Sequence, residues 1–296
     1  MDLHDYVAEE IATDCADGLI SRREALRRLG LIGLGSMSAG ALLAACGGGD
    51  DAKDKGSATP RPGRPTSTTT TATASGGRGV ESIVVSGRQA VFAAAEKPKG
   101  AVLLVHEIFG LTAHFRSLTG RFAGDGYSAI TVDLVPDGTR AAGDQGKVIS
   151  LLTGSPEDQL LADMRLGLDE LERRAPGAKL AVVGFCFGGG LTWRLLAAGE
   201  PRVAVAVPFY GPAPDAPDFS RSKAAVLAIY GELDNRVNGT RDTAVSALTR
   251  AGLTHEVRTF AGADHGFFND TGARYNATAA GDAYRAVLDW FSRYLG

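Results

Sequence analysis

The stretch Gly184-Phe185-Cys186-Phe187-Gly188-Gly189-Gly190 narrows the folds open to this chain more than any other. Ahead of it runs Leu180-Ala181-Val182-Val183, apolar throughout, as in a strand covered on both faces. After it comes Leu191-Thr192-Trp193-Arg194-Leu195-Leu196-Ala197-Ala198, which reads as a helix. A chain that leaves a buried strand and enters a helix within so few residues must turn sharply. Glycines on either side of Cys186 give that turn room where Cβ atoms would collide, and the residue at its tip is held under backbone strain. A Cys at such a tip is expected to face solvent above the sheet rather than pack beneath it.

Residues 80–296 alternate between apolar runs and amphipathic stretches. Strands are predicted over 82–85, 89–94, 101–106, 129–134, 180–184, 203–210, 225–230 and 255–260. Helices are predicted over 112–125, 156–174, 187–198, 240–251 and 278–294. In the last of these, Asp282, Arg285, Asp289 and Arg293 share a face opposite Ala283, Val287, Leu288, Trp290 and Phe291. Such alternation predicts one α/β domain: a mostly parallel, twisted sheet of about eight strands flanked by helices, with the first two strands as an antiparallel edge. A strand-turn-helix carrying a nucleophile between glycines is the elbow of the α/β-hydrolase fold, here with Cys in place of the usual Ser.

A Cys nucleophile needs a base, an acid to orient the base, and donors for the oxyanion. In that fold the chain order is nucleophile, Asp or Glu, then His. Leu227-Ala228-Ile229-Tyr230-Gly231-Glu232-Leu233-Asp234 runs a buried strand into a turn, so Asp234 is expected at the carboxyl edge of the sheet, where ligands bind. Ala261-Gly262-Ala263-Asp264-His265-Gly266-Phe267 is a Gly-rich loop that brings His265 over the same edge. His106 ends a strand at that edge and competes as base; Asp133, also at a strand end, competes as orienter. His4, His255 and His114 are weaker rivals, the last read as a solvent-facing or capping residue at a helix start. Asp264 is adjacent to His265, and neighbouring loop side chains rarely face one another. Backbone N–H groups of Ile108 and Phe187 are the expected oxyanion donors. Glu107 beside a thiol disfavours the thiolate, which suggests a nucleophile kept protonated until substrate arrives. A Glu facing solvent or bridging to an Arg is the plainer reading of the same residue.

His106-Glu107-Ile108-Phe109-Gly110-Leu111, then Asp125-Gly126-Tyr127 and Val132-Asp133-Leu134, resemble dienelactone hydrolase (carboxymethylenebutenolidase). Gly184-Phe185-Cys186-Phe187-Gly188-Gly189 and His265-Gly266-Phe267 are similar to the same family, and the likeness spans residues 82–295. The resemblance implies Cys186 as nucleophile, His265 as base, Asp234 as its orienter, and Glu107 as the glutamate that gates the thiolate. It implies substrate contacts at Phe109 and an arginine to hold a substrate carboxylate. Phe267-Phe268-Asn269 carries no Arg where the family places one, so Arg274 or Arg140 would have to serve.

Residues 1–79 read as lying outside the catalytic fold. Residues 1–46 have the layout of a twin-arginine export signal: Arg22-Arg23, more basic charge at Arg27 and Arg28, an uncharged run over 29–45, then Leu43-Ala44-Ala45-Cys46 as a lipobox. A long leader, residues 1–20, precedes the arginines, so the start codon could lie further along. Residues 47–79, rich in Gly, Pro and Thr, are expected to be a disordered tether. Cys46 would be lipidated and Cys15 removed, which leaves Cys186 as the only thiol of the exported domain. The expected location is the outer face of a bacterial cytoplasmic membrane, or the periplasm if the lipobox is not used. A net charge of −3 offers no case for nucleic-acid binding. No metal cluster or phosphate loop is evident, so no cofactor is expected. The resulting expectation is a hydrolase of a small ester or lactone; a broad carboxylesterase or peptidase, or a non-catalytic binding lipoprotein, is the alternative.

Overall fold

The computed structural model describes residues 1–44, 79–136 and 144–296. Its centre is an eight-stranded sheet: β1 (Glu81–Val85), β2 (Arg88–Ala93), β3 (Gly100–Val105), β4 (Tyr127–Val132), β5 (Leu180–Phe185), β6 (Val203–Phe209), β7 (Ala225–Gly231) and β8 (His255–Phe260). The spatial order is β1-β2-β4-β3-β5-β6-β7-β8. β1 and β2 form the antiparallel edge, and β2 also pairs antiparallel with β4; every other pairing is parallel. All residues of β3, β4, β5 and β7 are buried, which is why β3, β5 and β7 read as unbroken apolar runs; β4 also buries Ser128 and Thr131. β8 closes the far edge, and its half-exposed course accounts for the polar residues in His255-Glu256-Val257-Arg258.

The helices of the sheet are α4 (Ala113–Gly124), α6 (Glu157–Arg174), α7 (Phe187–Ala198), α9 (Arg241–Arg250) and α10 (Ala277–Tyr294), each within a residue or so of its sequence expectation. Two more were not anticipated: α5 (Gln145–Thr153), and the single turn α8 (Asn235–Asn238), which Asp234 caps by accepting from the Val237 N–H at 3.3 Å. α8 is too short to carry an apolar period.

The larger departure is at the front of the chain. Residues expected to lie apart from the catalytic fold form α1 (Leu3–Ala16), α2 (Arg22–Leu31) and α3 (Ser36–Ala44), and all three contribute to the same hydrophobic core as the sheet. Asp2 caps α1 by accepting from the His4 and Asp5 amides. Leu3, Tyr6, Val7, Glu10 and Ile11 then fall at i, i+3, i+4, i+7 and i+8, one helical face, and all five are buried. Gly190 of α7 makes room for this face: a Cβ there would come within 2.7 Å of the Leu3 side chain. Arg194 of α7 donates to the Met1 carbonyl at 2.9 Å. α2 docks on α5, where Arg27 pairs with Asp144, Arg28 donates to Gln145, and Ser150 donates to the Leu31 carbonyl at 2.7 Å. Among the described residues no helix is long and apolar enough to cross a membrane. Cys46, Arg140 and all of the expected tether but Gly79 lie outside the described residues.

Candidate active site

The carboxyl ends of β3, β5 and β7, and the loop after β8, converge on one edge of the sheet. Glu107 and Ile108 follow β3, Cys186 follows β5, Asp234 follows β7, and His265 follows β8. The Cys186 turn is strained as the spacing predicts, with φ 57° and ψ −118°. Its glycines are dictated by backbone: a Cβ on Gly184 would lie 2.1 Å from the Gly188 carbonyl oxygen, and one on Gly188 would lie 2.3 Å from that of Val105. The Cys186 N–H donates to the Phe209 carbonyl at 3.0 Å, which ties the turn to β6.

His265 Nδ1 lies 2.6 Å from Asp234 Oδ2, the geometry of a base and its orienting acid. Burial alone would raise the Asp234 pKa, but the His265 charge, its hydrogen bond and the nearby Arg236 outweigh it and hold the carboxyl below its ordinary value. The rival residues have structural duties. His106 is fully buried, with Nδ1 2.7 Å from the Glu107 carbonyl and Nε2 accepting from the Leu134 N–H at 3.0 Å. Asp133 accepts from the Leu111 and Val135 amides in the loop beyond β4. Asp264 accepts from the His265 amide rather than facing its ring. His255 Nδ1 engages the Leu253 carbonyl at the opposite end of the sheet. His114, expected at the surface, is buried and pairs with Asp270 at 2.7 Å.

Glu107 is neither solvent-facing nor bridged to an arginine. It is buried, accepting from the Tyr210 hydroxyl at 3.3 Å and from Asn269 Nδ2 at 2.7 Å. Burial raises its pKa; the Asn269 bond, the His114 and His265 charges and the Tyr210 bond only partly offset it. Tyr210 and Asn269 were not singled out in the sequence. Tyr210 has φ 34° and stands edge-on to the His265 ring, and nothing in an apolar strand end announces that strain.

Phe187 opens α7, a position whose N–H has no partner within the helix. Ile108 lines, with Cys186, His265, Glu107, Phe109, Asn269 and Arg274, a cavity of about 210 Å³. The leader supplies another of its walls: Glu10, Asp14 and Leu19.

That wall changes the site. Cys186 is only 5 % exposed, not open to solvent as its turn suggested, because α1 lies across it. The Tyr6 hydroxyl is 3.2 Å from Cys186 Sγ and 2.9 Å from His265 Nε2, in contact with both side chains. Glu10 lies 3.8 Å from the same Nε2 and pairs with Arg236. Burial would lower the His265 pKa, but the charges of Glu10, Asp234 and Cys186 prevail and hold it well above the ordinary imidazole value. Burial and the charges of Cys186 and Glu10 push the Tyr6 hydroxyl well above its own, so it stays protonated. Tyr6 and Glu10 could have been found from the periodic face of 3–11, which is legible once the leader is read as a folded segment. Asp2, His4 and Asp5 come close enough to share an ion, but Asp2 caps α1 and His4 Nε2 engages the Ile32 carbonyl at 2.7 Å.

The family model for dienelactone hydrolases matches residues 88–295, from β2 through α10. The chain belongs to the dienelactone hydrolase family. A relative from Escherichia coli O157:H7, provisionally named carboxymethylenebutenolidase, is 32 % identical over 219 residues, covering 68 % of this chain and 80 % of its own. The crystal structure of a protein from Klebsiella pneumoniae, provisionally named dienelactone hydrolase, superposes with a TM-score of 0.62 at 29 % identity, over 73 % of this chain and 98 % of its own. A dienelactone hydrolase from Anabaena variabilis has the same fold at 19 % identity and a TM-score of 0.57, over 73 % of this chain and 97 % of its own. The family match therefore takes in Glu107, Cys186, Asp234 and His265 and leaves out α1, with Tyr6 and Glu10.

Proposed function

We propose that this dienelactone hydrolase-family protein cleaves a small carboxylic ester or lactone through a thioester on Cys186. The observation that carries the reading is the 2.6 Å Asp234–His265 pair at the same sheet edge as a strained Cys186 turn. In the proposed reaction the Cys186 proton passes to His265 Nε2 as Sγ attacks the carbonyl carbon. The Ile108 and Phe187 amides hold the oxyanion, which collapses with loss of the alcohol, and the alcohol leaves with the proton from His265. Water then gives a proton to His265 and attacks the thioester, releasing the acid and restoring the thiol. Asp234 holds the imidazole with Nε2 toward the reacting atoms throughout. Burial raises the Glu107 pKa and so favours its neutral form over the charged one near the thiol; its ionisation would gate the thiol.

The reading is tested by hydrolysis of a panel of p-nitrophenyl esters and lactones. Cys186→Ala is expected to lower turnover by about 10³-fold or more, as for removal of a nucleophile. Undiminished turnover in that variant would sink the assignment and favour a scaffold that only binds.

We further propose that the protein is exported and held at the outer face of the cytoplasmic membrane through Cys46; that processing would remove residues 1–45, so the site covered by α1 is that of the unprocessed chain. Support comes from Arg22-Arg23, exposed at the start of α2, and from Leu43-Ala44-Ala45-Cys46. Loss of membrane association in Cys46→Ser would bear this out; an unchanged distribution would not.

A further inference from the structure

Arg274 is the arginine the sequence offered for a substrate carboxylate, yet its charge is already matched. Its Nη1 donates to Asp14 at 2.9 Å and lies 3.5 Å from Glu10; its Nη2 donates to Asp17 at 2.6 Å; its Nε lies 3.7 Å from Asp264. The neighbouring cation, Arg236, pairs with Glu10 as well and donates to the Tyr6 carbonyl at 3.3 Å. Burial and the Glu10 charge raise the Asp14 pKa. Even with Asp14 protonated, Glu10, Asp17 and Asp264 set three carboxylates against the two guanidiniums. Of these acids, all but Asp264 come from α1 or the residue that caps it.

The same helix determines how an acyl compound can reach Cys186. Tyr6 covers Sγ from one side, so the open approach is the cavity bounded by Glu10, Asp14 and Leu19 on the leader and by Phe109, Ala273 and Arg274 on the catalytic domain. Glu107 lines its inner end. A carboxylate entering there meets acids on one wall and an arginine whose donors are engaged, and it would have to leave water without a new partner.

We propose that helix α1 sets the charge specificity of the site in the unprocessed chain: with Glu10 and Asp14 in place, the cavity takes uncharged acyl compounds and rejects those carrying a carboxylate. The proposal rests on the reading of Cys186 as the reactive thiol. It assigns specificity to residues outside the family-matched segment, and it reverses the preference that Arg274 alone would confer. Asp14 acts here on which substrate enters; Glu10 does so as well, in addition to its charge effect on His265.

The test uses the full chain and two thiol reagents that differ in charge, iodoacetamide and iodoacetate. Alkylation of Cys186 is followed by peptide mass, which separates it from Cys15 and Cys46, and the ratio of the two rates is compared with that of glutathione. The wild-type protein is expected to disfavour iodoacetate by a further factor of about ten, one unit of 1.4 kcal/mol. Glu10→Gln with Asp14→Asn is expected to recover most of that factor. Asp17→Asn, on the exposed rim, should recover a smaller part without threatening the fold. The matching pair of esters, one neutral and one ending in a carboxylate, should show the same reversal in KM. A wild-type ratio equal to that of glutathione, or one that none of these variants moves, overturns the proposal. Because alkylation needs no turnover, charge discrimination without ester hydrolysis would count against the proposed reaction and leave this inference standing.

Discussion

The two halves of the active site are built differently. The proposed catalytic half hangs from strand ends: Cys186, Asp234 and His265 each follow a strand of one sheet, and their backbone is fixed by interlocking contacts such as Gly188 against the Val105 carbonyl. The covering half is one face of one helix, α1, joined to the rest through side chains: Leu3 against Gly190, Arg194 on Met1, and Glu10 on Arg236. A group at a strand end is held by the whole sheet and can be aimed closely enough for chemistry. A group on a docked helix can come and go as a unit, and suits selection or cover. The contrast teaches that residues touching Cys186 need not share its role: Tyr6 lies 3.2 Å from the sulfur, yet it belongs to a helix outside the family-matched segment.

The comparison breaks most readily at Asp234. Asp234→Asn should keep the shape of the site but lose the charge that orients and stabilises the His265 imidazolium, and turnover of a neutral ester is expected to drop by roughly 10³–10⁴-fold. A loss of only a few-fold, measured as kcat/KM, would mean that the strand-end half is not the catalytic half.

The helix-borne half should give a smaller effect of another kind. Glu10 stabilises the protonated form of His265, whose pKa stands well above the ordinary imidazole value. In the proposed reaction His265 acts as base only when unprotonated, so activity is expected to rise with pH through that pKa. Glu10→Gln removes negative charge, lowers the pKa, and should move the acid limb of the kcat/KM profile for a neutral ester to lower pH. An acid limb that stays in place, or moves to higher pH, would show that Glu10 does not act on His265.

The same contrast explains what could be read from the sequence. Strand-end chemistry is written locally: glycines flank Cys186 because backbone would collide with any Cβ, and Asp234 and His265 each follow a recognisable strand. Those constraints act within a few residues, so they survive in a single sequence. The meeting of Tyr6 with Cys186 is a contact between residues 180 apart in the chain. Nothing near Tyr6 specifies what its helical face will cover. The apolar period of α1 is present in the sequence, but its place ahead of Arg22-Arg23 favours a removed leader outside the catalytic fold. Tyr210 and Asn269, which hold Glu107, escaped for a related reason: their roles depend on where two loops converge.

The central claim, a thioester on Cys186, is most directly tested by quenching the reaction of the full chain with a slow activated ester and mapping the covalent adduct by peptide mass. The account predicts the acyl group on the peptide containing Cys186, appearing before steady state and absent in Cys186→Ala. An acyl group found on another residue, or full turnover in Cys186→Ala with no adduct on any peptide, would contradict it.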